Sequence, residues 1–242
     1  MEHMAEGGGL EELYDELRTA IIQGRVPPGT RMSQVQLAAQ FGVSRTPLRE
    51  AIRLLQREGL IVAERNRMVT VTGLSVDDLE AIYAMRILNE SFATSATVPG
   101  MTDDDIAALD GLLAAMDASS AGEDLDAWGA AHRSFHRGLM AGAGARLLRF
   151  TDELWDHSER YRQLYLRQPS IWEIGASEHA AIVDACRARD ADLAAARLAR
   201  HLARHVMTLM VLIAPDREPA LVRRAVRSVV RGEDAEVAFP AG

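Results

Sequence analysis

This sequence of 242 residues has a single cysteine and no lysine. Cys186 is the only cysteine, so a disulfide framework and a metal site built from several thiolates are excluded within one chain. It lies in an apolar helical pattern, and we expect it to be a small buried residue. Lysine is absent and all 27 basic residues are arginines, which we interpret as a bias of genome composition rather than a chemical signal.

Long apolar runs are missing as well. The longest, Val206 to Ala214, includes Thr208 and is too short to cross a bilayer. The N-terminus lacks the apolar stretch of a signal peptide. We therefore expect a soluble cytoplasmic protein with no membrane partner.

The usual catalytic motifs are also absent: there is no serine nucleophile elbow, phosphate-binding loop or Cys/His nucleophile pair. One pattern, His132-Arg133-Ser134-Phe135-His136, is similar to a zinc hydrolase helix, but Arg133 stands where a metalloprotease needs glutamate as general base. If the histidines of this region supplied four ligands to a tetrahedral ion, the ion would also have little room for an activated water. The sequence therefore predicts a protein that is not an enzyme, with a metal-dependent enzyme of the helical region as the alternative.

Charge is distributed unevenly along the chain. The formal net charge is -8 at pH 7, which is unusual for a protein that binds nucleic acid. Residues 26–74, however, contain seven arginines and three glutamates, whereas residues 75–242 contain 18 arginines and 26 acidic residues. The basic segment therefore has the charge of a nucleic-acid-binding surface although the whole chain does not.

The basic segment is organised around the stretch from Val43 to Leu60. At 3.6 residues per turn, one face of a helix over this stretch is apolar and carries Leu48, Ile52 and Leu55. Another face is cationic and carries Arg45, Arg49, Arg53 and Arg57. A solvated arginine face on an ordinary amphipathic helix is the simpler interpretation of this pattern.

Local signals place this helix from about Arg45 to Glu58. Ser44 is a candidate N-cap, Pro47 lies in the first turn where a missing N–H has no cost, and Gly59 is a C-terminal stop. The first turn combines unpaired N–H groups, the positive end of the helix dipole and arginine side chains. That combination suits contact with phosphates and base edges.

The surrounding residues favour the DNA-binding interpretation. A short helix is predicted from Gln34 to Phe41, and Gly42 begins the turn that leads to the cationic helix, which is the helix-turn-helix order. Residues 60–63 and 68–72 are prone to form strands, and the hairpin tip between them contains Arg65, Asn66 and Arg67. With a first helix over residues 10–23, we predict a winged helix-turn-helix of three helices and a two-stranded wing over residues 10–73.

The rest of the chain is predicted to be helical, after a disordered N-terminus of residues 1–9. Proline and glycine are confined to the joints, which indicates an antiparallel bundle of about six to seven helices over residues 74–231, followed by a tail over 232–242. The helices are expected at about 75–97, 102–119, 125–141, 146–167, 174–189, 191–214 and 220–231. The sequence leaves open whether the last of them packs on its own bundle or on a partner's.

Histidines are grouped in the bundle. His132 and His136 lie four residues apart on one helix, His179 lies on another, and His201 and His205 lie four apart on a third. Facing helices of a bundle can direct such side chains to one point and hold a metal ion. Spacing alone leaves the alternative open, namely histidines that are hydrogen-bonded or exposed.

Residues 17–71 closely resemble the winged-helix domain of the GntR family of bacterial transcription regulators. The resemblance is carried by Gly24-Arg25-Val26-Pro27-Pro28-Gly29, Phe41-Gly42-Val43-Ser44-Arg45-Thr46-Pro47-Leu48-Arg49-Glu50-Ala51 and Leu54-Leu55-Gln56-Arg57-Glu58-Gly59-Leu60. It implies that DNA is contacted by the start of the recognition helix and by the wing. The implied DNA-binding residues are Ser44, Arg45, Thr46, Arg49, Arg65, Asn66 and Arg67.

Residues 74–214 are similar to the FCD effector domain of FadR-type members of that family. The matching segments are Tyr83 to Glu90, His132 to His136, Glu178 to Ala185 and Asp190 to His201. The resemblance implies a divalent metal held by His132, His136, His179 and His201. The family usually has aspartate in the place of His132, and a neutral imidazole there shifts the preference from Mg or Mn toward Zn, Ni, Co or Cu, with Zn or Ni favoured; a weakened or lost site is the alternative.

The same resemblance implies a small organic acid as effector. Arg86 corresponds to a family arginine that faces the pocket, where it could pair with a carboxylate. The alternative is an Arg86–Glu90 ion pair at i, i+4. The function implied is that of a ligand-responsive regulator, with repression as the expected effect, that binds a palindromic operator in double-stranded DNA as a homodimer.

Overall fold

The computed structural model of the chain describes residues 9–64, 68–122, 124–162 and 170–230, and of residues 170–174 the backbone only. The chain divides into two compact units after Ser75, two residues beyond the predicted boundary. Three predictions concern residues that lie wholly or almost wholly outside this description. They are the disordered N-terminus, the wing tip with Arg65, Asn66 and Arg67, and the C-terminal tail. Within the described residues, no helix has both the length and the apolar composition of a membrane span.

The first unit is a winged helix-turn-helix, as predicted. Its core contains apolar side chains from all three helices and from two of the strands. Its elements are α1 (Leu10–Ile22), β1 (Arg31–Ser33), α2 (Gln34–Gln40), α3 (Arg45–Arg57), β2 (Ile61–Ala63) and β3 (Met68–Val71). The predicted ends of the three helices are correct to within one residue.

Helix α3 is held by the apolar face that its periodicity predicts. Leu48, Ile52 and Leu55 are buried and pack in the unit's core, while the arginine face remains outside. Gly42, in the turn before α3, has φ of 63°, a conformation that glycine adopts at little cost. Ser44 occupies the N-cap position, but its side chain makes no capping hydrogen bond. The prediction of Ser44 as N-cap is therefore correct in position only.

The wing contains one strand more than the sequence predicted. Strand β1 pairs antiparallel with β3, with Arg31 opposite Thr70 and Ser33 opposite Met68, and β3 also pairs with β2. A strand of three residues is too short to have an alternating pattern of its own. It forms because tertiary pairing with a distant strand satisfies its backbone, which local sequence cannot reveal.

The second unit is the predicted all-helical bundle. Its described α-helices are α4 (Val76–Thr97), α5 (Asp103–Ala121), α6 (Leu125–Leu139), α7 (Ala145–Arg162), α8 (Ser170–Arg187), α9 (Ala191–Ile213) and α10 (Ala220–Val229). Helix α5 begins with a capping box between Thr102 and Asp105. Helix α8 begins at Ser170 and not at Ile174 as predicted, and the predicted end of α7 at Arg167 lies outside the described residues.

Helix α10 packs on its own bundle, which answers the question that the sequence left open. It lies against α4 and α9, with Val222 and Val226 fully buried. The backbone N–H of Leu221, in its first turn, donates to Oε1 of buried Glu80 on α4 at 2.6 Å. This bond fixes the start of α10, because it satisfies one of the unpaired amides of a helix N-terminus.

Candidate functional site

The first turn of α3 presents the side chains that the sequence assigned to DNA. Ser44, Arg45, Thr46 and Arg49 are all exposed. Within the described residues, neither Arg45 nor Arg49 forms an ion pair, whereas Arg53 one turn further is paired with Glu50 at 2.8 Å. The guanidinium groups nearest the start of the helix are therefore available to phosphates and base edges.

Helix α2 adds to this surface. Its first residues, Gln34 and Val35, line a cavity of about 170 Å³ together with Arg45, Leu48 and Arg49. Val35 is 51% exposed although it belongs to the apolar pattern of α2. The start of α2 and the start of α3 thus border one concave patch with two unpaired arginines on its rim.

The four histidines that the family resemblance assigned to metal converge in the second unit. His132 and His136 come from α6, His179 from α8 and His201 from α9. Each offers one ring nitrogen to a set in which all atoms lie within 4.8 Å of one another, and all four residues are buried. Nε2 of His179 and Nε2 of His201 are 3.2 Å apart. Two nitrogens bound to one tetrahedral ion at 2.0–2.1 Å would be about 3.3 Å apart, so this separation fits a shared ion.

Two carboxylates orient the imidazoles. Nδ1 of His136 lies 2.9 Å from Oε2 of Glu90, and Nδ1 of His201 lies 2.8 Å from Oε2 of Glu178. An ionised carboxylate only accepts hydrogen bonds, so each Nδ1 carries the proton and donates it. Each Nε2 then carries a lone pair and no proton, which is how metal-binding histidines are prepared in proteins.

The surroundings of His132 also indicate that the cluster can hold a metal ion. His132 is 2% exposed, and neither of its ring nitrogens has a hydrogen-bond partner among the residues that the structure describes. Its ring stacks on Trp128 with centroids 4.6 Å apart. A buried polar group without a partner costs roughly 1–3 kcal/mol, and binding of a metal ion would remove that cost. The donor set therefore fits a divalent metal in which His132 takes part.

The histidines are neutral at neutral pH. Burial lowers the pKa of His136 to about 4, against the opposing effect of Glu90. Burial, with a smaller contribution from Arg86, lowers the pKa of His201 to about 4. Burial, with the neighbouring histidines, holds the pKa values of His132 and His179 well below the usual range. All four can therefore supply lone pairs without first losing a proton.

Arg86 is buried beside this cluster and forms the ion pair with Glu90 that was predicted as the alternative to an effector contact, within a larger network. Its Nε donates to Oε1 of Glu90 at 2.6 Å, and its Nη1 donates to the hydroxyl of Ser158 at 2.9 Å. Its guanidinium lies over the ring of Trp155 at 4.3 Å. Although burial raises the pKa of Glu90, the charge of Arg86 and the hydrogen bond from His136 lower it to about 2. Arg86 thus keeps Glu90 ionised, and Glu90 holds His136.

Glu90 and Glu178 were not predicted as hydrogen-bond partners of the histidines. The sequence places both glutamates near residues of the predicted site, since Glu90 lies one turn after Arg86 and Glu178 directly precedes His179. The position of Glu178 in the sequence, however, does not indicate that it binds His201 instead of the adjacent His179. That contact depends on the packing of α8 against α9.

A cavity of about 320 Å³ is bordered by α5, α6 and α8, and His179 of the cluster is one of its lining residues. The walls of the cavity are mostly apolar. The remaining described lining residues are Leu113, Met116, Asp117, Ser120, Ala121, Trp128, Ala176 and Ala180. A small molecule in this cavity would therefore lie beside His179.

Fold and sites together define a DNA-binding regulator with a helical sensor domain. Family comparison gives the particular family. Residues 10–71 match the model of the bacterial regulatory proteins of the gntR family, and residues 81–204 match that of the FCD domain. The chain belongs to the GntR family of transcriptional regulators and carries an FCD domain. This confirms the resemblance inferred from the sequence and, because the family consists of regulators, the prediction that the protein is not an enzyme.

Individual relatives agree with this membership. The chain is 29% identical to the HTH-type transcriptional repressor GlaR of Escherichia coli over 198 residues, which is 78% of this chain and 90% of that protein. It is 35% identical to the HTH-type transcriptional regulator YdhC of Bacillus subtilis, over less than half of either chain, 41% and 44%. The structure of McbR/YncC of E. coli matches with a TM-score of 0.73 and 21% identity over 84% of this chain and 98% of that one, which supports the fold.

Proposed function

We propose that the protein is a homodimeric, cytoplasmic transcriptional repressor that binds a palindromic operator and responds to a small organic acid through a metal centre in its helical domain. The observation that carries the proposal is the convergence of His132, His136, His179 and His201 in a bundle linked to a DNA-binding unit. The unpaired Arg45 and Arg49 support the DNA-binding half. Repression is supported by GlaR, which is a transcriptional repressor.

Four neutral imidazoles favour zinc or nickel over magnesium or manganese. His136 and His201 would bind through Nε2, since their Nδ1 atoms donate to Glu90 and Glu178. When bound, the ion supplies a positive charge that attracts an anionic effector. The prediction that Arg86 contacts this effector remains a proposal, and its observed partners support an additional role in holding Glu90 and thereby His136.

Effector binding to the helical domain would change the operator affinity of the winged-helix domain. The effector changes operator affinity only by the difference in its affinity for the DNA-bound and free arrangements of the protein. One recognition helix reads only a few base pairs, so two copies at a fixed spacing are needed for specificity.

An apolar surface on α4 supports the dimer. Met85, Leu88 and Phe92 follow one another at helical spacing and are 38%, 42% and 66% exposed. Leu88 and Phe92 border a groove of about 580 Å³ between α4, α9 and α10, with Ala195 and Ala196 among its small lining residues. A protruding phenylalanine beside a groove with small residues gives each copy a side chain to insert and a groove to receive one, and a two-fold interface requires such a surface. We propose that Phe92 of each copy enters the groove of the other.

Phe92→Asp is expected to convert the dimer into monomers at micromolar concentration. Two phenylalanines lose their burial in the symmetric interface, at about 1.5–3 kcal/mol each, and two carboxylates are added. Sedimentation velocity measures the change. Leu125→Asp, at the 40% exposed first residue of α6, is the matched control and should remain dimeric. A dimer that survives Phe92→Asp would contradict this interface.

The regulator function is tested with the promoter region next to the protein's own gene. Fluorescence anisotropy should give saturable binding to this DNA that weakens steeply as salt is raised, because phosphate contacts release counterions. Competition with an unrelated duplex of equal length measures specificity. Equal affinity for the two duplexes would exclude a sequence-specific regulator of that promoter.

Glu90→Gln is expected to reduce metal affinity about 10–100-fold, the usual effect of removing the partner that orients a metal-binding histidine. The amide keeps the size of the side chain but loses the negative charge that Arg86 and His136 share. Competition with a chromophoric chelator gives the affinity. Glu153→Gln, an exposed position on α7, is the control. Equal metal affinity in both variants would separate Glu90 from the metal centre.

A further inference from the structure

Two buried hydrogen-bond donors next to the histidine cluster have no partner in the described chain. They are the hydroxyl of Tyr83 on α4 and Nη1 of Arg162 at the end of α7. Tyr83 is 0% exposed and Arg162 is 7% exposed. Buried donors of this kind are costly unless an acceptor from outside the chain reaches them.

Arg162 is held in a fixed position. Its Nε and one terminal nitrogen, Nη2, donate to the two carboxylate oxygens of Glu159 at 2.6 and 2.7 Å, which leaves Nη1 as the remaining donor group. Its guanidinium lies 5.6 Å from the ring centroid of Trp128. Gly129 leaves room for it, since a Cβ at that position would be 3.1 Å from Nη2.

This position puts a positive charge one aromatic ring away from the metal ligands. Trp128, under the guanidinium of Arg162, stacks on His132 with centroids 4.6 Å apart. Trp128 also lines the cavity that reaches His179. The cavity and the guanidinium of Arg162 therefore both border the ring of Trp128.

Tyr83 lies close enough to Arg86 and Arg162 for both charges to act on it. The guanidinium of Arg86 is 5.1 Å from its ring centroid, and the charges of Arg86 and Arg162 both act on its hydroxyl. Burial nevertheless raises the pKa of Tyr83, so that the phenol remains protonated and can donate. Arg86 differs from both, because its Nε and Nη1 already bind Glu90 and Ser158.

We propose that Arg162 and Tyr83 bind the carboxylate of the effector next to Arg86, which also positions Glu90. The carboxylate accepts a charge-assisted hydrogen bond from Nη1 of Arg162 and a second one from the phenol. This inference rests on the proposed function, since it identifies the residues that recognise the effector of the same helical domain.

The cavity further restricts the effector. Its apolar wall, with Leu113, Met116 and Trp128, suits a hydrocarbon substituent and gives no partner to a second charge. Asp117 also lines the cavity and is exposed at it, so a second carboxylate on the effector would be repelled. The effector class is therefore a small monocarboxylic acid with an apolar remainder.

The test is calorimetric titration of the full-length protein, as purified with its metal, with butyrate, hexanoate and benzoate. Each acid is paired with its neutral amide, and succinate serves as the dicarboxylate. The three monocarboxylic acids should bind, and their amides and succinate should bind at least about tenfold more weakly than the acids. Arg162→Gln should weaken binding of the acids about 10–100-fold, the range for a hydrogen bond to a charged group. Tyr83→Phe, which keeps the ring under Arg86, should weaken it about threefold to tenfold.

The outcomes separate this inference from the proposed function. If the acids alter promoter binding but Arg162→Gln and Tyr83→Phe bind them as well as the wild type, the assignment of the two residues is overturned and the regulator remains. If amides bind as well as acids, or no acid binds, the carboxylate site is overturned while DNA and metal binding are judged separately. Should Arg162→Gln fail to fold, the Tyr83→Phe titration decides.

Discussion

Replacing His136 and His179 together by alanine is expected to remove the bound metal completely. Elemental analysis should fall from about one ion per chain in the wild type to background. The two residues come from different helices and supply two of the four converging nitrogens, and the remaining two cannot enclose an ion. If the metal persists in the double variant at the wild-type ratio, the assignment of these ligands is wrong.

The same variant gives a stability readout that does not depend on activity. A metal at a thousandfold excess over its dissociation constant stabilises the folded state by about 4 kcal/mol. At roughly 2–4 °C per kcal/mol for a domain of this size, a chelator should lower the melting temperature of the wild type by roughly 8–16 °C. It should not affect the double variant, which has no metal to lose.

His205→Ala provides the matched control for the metal. The ring of His205 lies 4.8 Å from that of His201, yet His205 is outside the converging set of four nitrogens. The variant should therefore keep about one ion per chain and its sensitivity to the chelator. Loss of the metal in this control would make His205 a ligand and would require a different coordination set.

Replacing Arg45 and Arg49 together by alanine should reduce operator affinity by about 2–6 kcal/mol. Each arginine is exposed and has no ion-pair partner in the described chain, so each is free to contact a base edge or a phosphate. A good bidentate contact to a base is worth about 1–3 kcal/mol. Fluorescence anisotropy with operator DNA at fixed salt measures the loss.

The single variants distinguish the kind of contact that each arginine makes. If Arg49 reads a base, Arg49→Ala should relax specificity at one position of the operator; if it binds a phosphate, affinity should fall equally for all sequences and the salt slope should decrease by about one unit. Arg53→Ala is the control, because Arg53 is already paired with Glu50 and should lose less than about 1 kcal/mol. Unchanged affinity in the Arg45→Ala/Arg49→Ala variant would exclude the start of α3 as the reading surface.

The local elements were predictable because their signals are local. The apolar face of α3, with Leu48, Ile52 and Leu55, is visible in the spacing of the residues, and all three are buried. Glycine at positions 42 and 59 marks backbone with positive φ, which glycine tolerates best. The start of α8 was placed four residues too late, because Ser170 to Glu173 has no cap signal that we recognised.

The histidine cluster was predictable only in part. Spacing put His132 and His136 on one face of α6, and the family resemblance selected His179 and His201 as their partners. The roles of Glu90 and Glu178 were not predicted, since a glutamate next to a histidine in sequence can point to another helix. The free donors of Tyr83 and Arg162 were invisible in the sequence for the same reason.

The sequence by itself determined the order of the helices, the arginine face of α3, the division into a basic and an acidic part, and the family. These follow from periodicity, composition and motif, which are properties of neighbouring residues. Only the tertiary structure decided that strand β1 completes the wing, that α10 covers α4, that Arg86 holds Glu90, and that four imidazoles meet within 4.8 Å. Such contacts join residues that are distant along the chain, and they exist because packing of the helices fixes the direction of each side chain.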